Sequence, residues 1–195
     1  MASNYTQEVT LKSSSEPSEY KSRFGLLIDI VLRVLLFATA LVSIIVMVTS
    51  KQTKLIPVAP GIVIPLHAKF QNSPAFIYFV VALSVASFYS LITGCFSVFA
   101  LTKKGEISIK LQLQIVMFDA LLLGIVAAAT GAAGGVAYIG LKGNSHTRWN
   151  KICNTFDSFC FHFAASILLS LISSITLLLL IWLSIYAISK KIASR

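Results

Sequence analysis

Residues 24–50 read FGLLIDIVLRVLLFATALVSIIVMVTS, an apolar run whose only charged residues are Asp29 and Arg33. A hydrocarbon core about 30 Å thick takes about 20 helical residues, so this run is long enough to cross a bilayer once. Three apolar runs of comparable length follow it along the chain. We therefore predict four transmembrane helices, at about residues 26–50, 75–101, 111–140 and 163–188.

The composition agrees with this pattern. The chain has 195 residues, of which 56% are hydrophobic and 12% charged, whereas about a quarter of the residues in a soluble domain are charged. This excludes a compact soluble enzyme. The apolar runs are continuous rather than alternating, which favours helices over a membrane barrel. We predict an all-α integral membrane protein in which a four-transmembrane-helix bundle occupies residues 24–189.

The two ends of the chain are polar. Residues 1–23 carry mixed charge and precede an apolar run that is longer than the core of a signal peptide, so we predict a disordered cytoplasmic tail rather than a cleaved leader. Residues 190–195 are predicted to form a short basic tail on the same side. Asn4, in the only glycosylation sequon, should then stay unmodified, and a glycan there would invert the orientation.

The basic residues set the predicted orientation. Cytoplasmic termini place nine basic residues inside and six outside, which agrees with the positive-inside rule. The inner set is Lys12, Lys21, Arg23, Lys103, Lys104, Lys110, Lys190, Lys191 and Arg195, and the outer set is Lys51, Lys54, Lys69, Lys142, Arg148 and Lys151. Trp182 and Tyr186 suit an inner interfacial belt, and Tyr78, Tyr138 and Trp149 an outer one. The formal charge of +9 is thus explained by flanking residues, and we expect no nucleic-acid partner.

Charges within the spans are expensive in lipid and need partners. Arg33 lies ten residues beyond Arg23, and Asp119 lies nine beyond Lys110, so both are about 14 Å from their flanks. Their equal depth predicts an intramembrane ion pair between the first and third helices. Two alternatives stay open: both side chains can snorkel to the inner interface, or Asp29, a secondary charge four residues before Arg33, can pair with it locally.

Small residues are concentrated in the third span. Gly131 and Gly135 form a G-x-x-x-G motif, which lets helix backbones approach closely. We favour packing within the chain, with contact between subunits as the alternative. Two further stripes are predicted to join helices, although their hydroxyls can also line a pore: Ser84, Ser87 and Gly94, and Ser166, Ser170 and Ser173.

Two of the three cysteines, Cys153 and Cys160, share the second outer loop. An oxidising compartment favours a disulfide between them, provided that a turn shortens their separation. A metal site that adds His146, His162 or Asp157 is the weaker alternative, because the cysteine spacing is wider than that of typical zinc sites.

No catalytic motif is present in the sequence: there is no phosphate loop, no H-E-x-x-H and no nucleophile elbow. We therefore predict no enzyme activity, no catalytic residue, no metal and no cofactor. The first outer loop, residues 51–74, holds four prolines and an apolar segment. This segment can pair as a strand or lie against the bilayer, and Pro65 is expected to prevent a long strand. The loop either binds a partner or packs on the helix ends.

Several features together resemble the plant Casparian strip membrane domain protein-like (CASP-like) family. They are DIVLRVLLF at residues 29–37, VMFDALLL at 116–123, the AAATGAAGG run at 127–135, and W-x3-C-x6-C from Trp149 to Cys160. The first outer loop, with KQTKLIPVAPG and NSPAFIYF, is similar to members outside the Casparian-strip proteins themselves. The resemblance covers nearly all of residues 24–188.

The resemblance implies a MARVEL-like tetraspan protein of the plasma membrane with both termini cytoplasmic. It also implies homo- and hetero-oligomers with related members, which form a scaffold in contact with membrane lipid and with extracellular wall-modifying enzymes. Arg33 and Asp119 correspond to the family's intramembrane charges, and Cys153 and Cys160 to its outer-loop cysteines. We expect a non-enzymatic scaffold that organises local cell-wall modification. The alternative is a small transporter or channel subunit that uses Arg33 and Asp119.

Overall fold

The structure is a computed structural model that describes residues 2–59, 62–103, 108–146, 151, 153–154 and 156–193. Four long helices dominate the described residues: α1 Ala2–Thr49, α2 Pro74–Thr102, α3 Ile109–Lys142 and α4 Asp157–Ala193. Their segments of membrane-spanning length and hydropathy are Phe24–Thr49, Pro74–Thr102, Ile109–Lys142 and Ser158–Ala193. The prediction of a four-span all-α membrane protein is confirmed.

The helices form a four-membered ring. α1 packs against α2 and α4, and α3 packs against the same two helices. Among the described residues there is no comparable packing between α1 and α3, so these two helices occupy opposite corners of the bundle. We call the end where α1 ends and α2 begins the hairpin end, and the other the tail end.

The core between the helices is small and apolar. Leu36, Phe79, Leu83, Val126 and Leu177 are fully buried, one or two from each helix. Many large apolar side chains instead point outward, as expected where the solvent is lipid rather than water. Trp182 and Tyr186 are also exposed near the end of α4.

Local sequence explains where α2 begins and where α3 ends. Pro74 is in the first turn of α2, where its missing N–H costs no helical hydrogen bond. Gly143 follows α3 with φ 74°, a backbone conformation that glycine adopts without steric cost, and its N–H bonds the carbonyl of Ile139.

A two-stranded antiparallel hairpin joins α1 to α2. It consists of β1 Lys51–Ala59 and β2 Ile62–Lys69, followed by a 3-10 turn, Phe70–Asn72. The expectation that Pro65 prevents a long strand is wrong: Pro65 lies in β2, opposite Leu55. Both strands are edge strands, so a proline whose nitrogen faces away from the partner removes no hydrogen bond of the ladder.

α1 begins at Ala2 and so includes the segment before Phe24. The disordered cytoplasmic tail over residues 1–23 stays a prediction. α4 likewise continues past Lys190 and Lys191 to Ala193. Lys104, Arg148, Trp149 and Arg195, which were used in the orientation argument, lie outside the described residues.

Candidate functional site

A buried charge cluster centred on Arg33 is the main polar feature inside the bundle. Arg33 lies on α1 and is 2% exposed. Its Nε lies 3.1 Å from Oδ2 of Asp29, and its Nη2 lies 3.3 Å from Oδ2 of Asp119 on α3. Its Nη1 donates a 2.7 Å hydrogen bond to Oγ1 of Thr93 on α2. One guanidinium group therefore connects three helices.

The cluster combines two arrangements that the sequence presented as alternatives. Asp29 binds Arg33 along the same helix, while Asp119 binds it from the opposite corner of the bundle. The fork of the guanidinium presents different N–H groups to each carboxylate, so the two contacts do not compete. Because α1 and α3 are not packed directly, the ion pair joins helices that few other contacts hold together.

Hydroxyl groups of α2 complete the cluster, and sequence reasoning missed them. Ser97 donates a 2.7 Å hydrogen bond to Oδ2 of Asp29, and Ser90 donates one of 2.7 Å to the backbone carbonyl of Arg33. Thr93 donates to the carbonyl of Tyr89 and accepts from Arg33. The signal was available, since residues 90, 93 and 97 recur at helical spacing on one face of α2.

The α2 stripe predicted from small residues is only partly buried. Ser84 is exposed and donates to the carbonyl of Val80 in its own helix, whereas Ser87 is buried. Gly94 faces α1, where an added Cβ would lie 3.7 Å from the Cβ of Arg33. An alanine at position 94 would make an ordinary van der Waals contact with Arg33, so the packing of α1 on α2 beside the charge cluster does not depend on glycine there.

One carboxylate oxygen of the cluster is unsatisfied. Asp119 is completely buried, and its Oδ1 has no hydrogen-bond partner among the described residues. With two carboxylates facing one guanidinium, the cluster has a formal charge of −1 when all three groups are ionised. An unpaired buried acceptor costs free energy, so this oxygen destabilises the bundle's polar interior.

The stripe of serines on α4, Ser166, Ser170 and Ser173, forms hydrogen bonds between helices, as predicted. Ser43 and Ser166 each donate to the other's backbone carbonyl, at 2.9 and 2.8 Å. Elsewhere, Ser173 lies 2.9 Å from Thr39, and Ser170 lies 3.0 Å from Thr130. These pairs connect α4 to both of its neighbours. Each of the three α4 serines is completely buried in a helix contact.

The G-x-x-x-G motif does not pack within the chain. Gly131 and Gly135 are exposed on the outer face of α3, and an added Cβ at either would meet nothing within 4 Å. The preference for intramolecular packing is therefore wrong. The sequence could not show which face of α3 is buried, because the helix has small residues on every face. The buried stripe is the one that includes Ala129, Thr130 and Ala133.

A disulfide joins Cys153 and Cys160, whose Cα atoms lie 5.6 Å apart. The required shortening comes from a turn at Cys153 and Asn154, after which α4 begins. The N–H of Cys153 bonds the carbonyl of Gly140, so the bridge ties the end of α3 to the first turn of α4. Because the two sulfurs are bonded to each other, they are not ligands of a metal ion.

The histidines considered as further metal ligands, His146 and His162, lie at the surface. Nδ1 of His162 lies 2.6 Å from the carbonyl of Ser158. Within the described ranges, no three His, Cys, Asp or Glu side chains are grouped as metal ligands would be.

Comparison with known proteins decides the family. A profile of the Casparian strip membrane protein domain matches residues 22–176, which include Arg33, Asp119 and both bridged cysteines. The chain belongs to the Casparian strip membrane protein family. The resemblance of the sequence to CASP-like proteins is thereby confirmed.

Several relatives carry the CASP-like name. CASP-like protein 1D1 of Vitis vinifera is 54% identical over 166 residues, which cover 85% of this chain and 79% of that protein. CASP-like protein 1D1 of Populus trichocarpa is 47% identical over 186 residues, or 94% of each chain. CASP-like protein 1 of Panax ginseng is 59% identical over 147 residues, covering 75% of this chain and 99% of that one. No solved structure matches this CASP-like chain.

Proposed function

We propose that this CASP-like protein is a non-enzymatic membrane scaffold that assembles into homo- and hetero-oligomers and organises local modification of the cell wall. The observation that carries the proposal is the outer face of α3. Gly124, Ala128, Gly131 and Gly135 form one exposed stripe along this face, at helical spacing. Family membership supports the proposal, because the resemblance implies assembly of related members into platforms.

Glycines on a lipid-facing surface need an explanation. Glycine weakens a helix by about 0.5–1 kcal/mol relative to alanine, and lipid offers no compensating contact. A second helix does offer one, because small residues let two backbones approach until van der Waals contacts form along their length. We infer that the α3 stripe contacts another family member, either a second copy of this chain or a related protein.

Substitution of the stripe tests self-association. We expect Gly131→Leu with Gly135→Leu to weaken oligomer formation about tenfold, because two large side chains prevent close approach. The fold should be unaffected, since both positions open onto empty space. The measurement is oligomer size in nanodiscs and on blue-native gels. Ser84→Leu, at an exposed position on α2, is the matched control, and equal oligomer size in all three proteins would contradict the proposal.

The proposed location is the plasma membrane, with both termini in the cytoplasm. The distribution of basic residues supports this orientation, since Lys103 and Lys110 flank the tail end of the bundle. The hairpin and the disulfide loop then face the cell wall, where wall-modifying enzymes are the proposed partners. An oxidising exterior also suits the Cys153–Cys160 bridge.

A transporter or channel subunit is the second candidate, favoured by one observation. The unpaired Oδ1 of Asp119 is an acceptor at the centre of the bundle, where a translocated cation or proton can bind. Flux assays on proteoliposomes separate the candidates. We expect the ion and proton flux of protein-containing liposomes to equal that of empty liposomes. A flux that Asp119→Asn abolishes would instead favour transport.

A further inference from the structure

A groove of about 380 Å³ opens on the outer surface of the bundle between α1 and α2. Apolar side chains from both helices form its walls, and Arg33 and Gly94 contribute to its lining. The apolar walls are Ile30, Val34, Phe37, Leu91, Val98 and Phe99. A groove with these walls takes an apolar ligand, because the guanidinium of Arg33 is already paired with Asp29, Thr93 and Asp119.

The length of the groove indicates the kind of ligand. It extends along α2 from Thr102, at the end of the helix, to Leu91 and Ser90. Leu91 lies eleven positions before Thr102, which is a helical rise of about 16 Å and close to half the thickness of the hydrocarbon core. A partner helix would cross the whole bilayer, whereas this groove ends near its centre. An acyl chain of a lipid in one leaflet has the matching extent.

The mouth of the groove carries a positive charge. Lys103 follows Thr102 directly and is exposed, and its Nζ lies 4.5 Å from the centre of the Phe99 ring, a wall of the groove. On α1 beside the groove, the carboxylate of Asp29 is held by Arg33 and Ser97. A cation at the interface beside an apolar channel matches a lipid with an anionic headgroup.

We propose that the α1–α2 groove binds one acyl chain of an anionic phospholipid, with the lipid phosphate held by Lys103. The bound acyl chain fills the groove beside the charge cluster and covers the side of Arg33 that faces the groove. It therefore shields the buried ion pairs from water that penetrates the bilayer. This site lies between α1 and α2 and is separate from the α3 stripe, so it is independent of self-association.

The groove offers a matched pair of positions for testing. Cys95 lines the groove and is exposed, and the next residue, Phe96, is exposed but does not line it. Tryptophan at position 95 fills the groove, and tryptophan at position 96 adds comparable bulk outside it. Lys103→Gln removes the positive charge that binds the lipid phosphate, at an exposed position outside the α1–α2 packing, so it tests the proposal even if Cys95→Trp fails to fold.

The experiment uses the full chain in nanodiscs of phosphatidylcholine. One sample contains a trace of phosphatidylglycerol with a photoreactive acyl chain, and the other contains a trace of phosphatidylcholine with the same photoreactive chain. We expect cross-links concentrated on α1 and α2 peptides, with phosphatidylglycerol preferred. Cys95→Trp should reduce these cross-links about tenfold, which corresponds to the loss of one well-filled apolar site, and Phe96→Trp should not. Lys103→Gln should abolish the preference for phosphatidylglycerol.

Two results would overturn the proposal. Cross-links spread evenly over all four helices, and unchanged in Cys95→Trp, would indicate ordinary annular lipid. Disulfide cross-linking of Cys95 between two copies in native membranes, together with absent lipid cross-links, would show that the groove is covered by a second subunit.

Discussion

Arg33→Met is expected to lower the free energy of unfolding by about 3–5 kcal/mol, because it leaves the buried carboxylate of Asp119 and the half-buried carboxylate of Asp29 without a counter-charge. Asp119 is completely buried and its Oδ2 would lose the contact with Arg33, while its Oδ1 already has no partner. The measurement is the unfolding midpoint in a detergent titration, with delivery to the cell surface as the cellular readout.

A triple variant is the control for this prediction. Arg33→Met combined with Asp29→Asn and Asp119→Asn removes all three charges, so no uncompensated charge remains in the bundle. We expect it to recover most of the stability that the single variant loses, since an apolar or neutral replacement of a whole buried ion cluster is often tolerated. A single variant as stable as wild type would mean that the charges lie at the interface and are hydrated there.

Loss of the disulfide is the second large effect. Cys153 and Cys160 are separated by seven positions, and opening a loop of this size is expected to destabilise the protein by about 2–3 kcal/mol. The double variant Cys153→Ser with Cys160→Ser should also loosen the end of α3 from the start of α4, where Cys153 bonds the Gly140 carbonyl. Thermal unfolding with and without a reducing agent measures the effect.

Cys95 provides the control for the disulfide experiment. It is the free cysteine of the chain, so Cys95→Ser should leave the unfolding temperature unchanged and its response to reductant intact. The double variant should no longer respond to reductant. If wild type and the double variant unfold at the same temperature under oxidising conditions, the bridge contributes nothing to stability.

The sequence was sufficient to predict the spans because length and hydropathy decide whether a segment crosses a membrane. Counting residues from the flanking basic residues also predicted that Arg33 and Asp119 lie at the same depth in the membrane, since the rise per residue of a helix is uniform. That count could not show that their helices lie at opposite corners of the bundle. Corner positions depend on which faces pack, and the charge cluster alone does not specify them.

Features that depend on helix rotation were beyond the sequence. α3 carries small residues on every face. The stripe with Gly131 and Gly135 could therefore not be distinguished from the buried stripe with Ala129 and Ala133 until the packing was known. The hydroxyls of Thr93 and Ser97 were missed for a related reason. Ser and Thr are common in membrane helices, and only their position opposite Arg33 gives them a role.

Cysteine scanning of α3 in native membranes tests the scaffold proposal most directly. In a Cys95→Ser background, single cysteines would be placed at residues 124, 128, 131 and 135 and, as controls, at the buried positions 126 and 130. We predict oxidative cross-linking between subunits at the four exposed positions and none at the buried ones. Cross-linking absent at all four, in membranes where the protein is correctly delivered, would contradict assembly through this face.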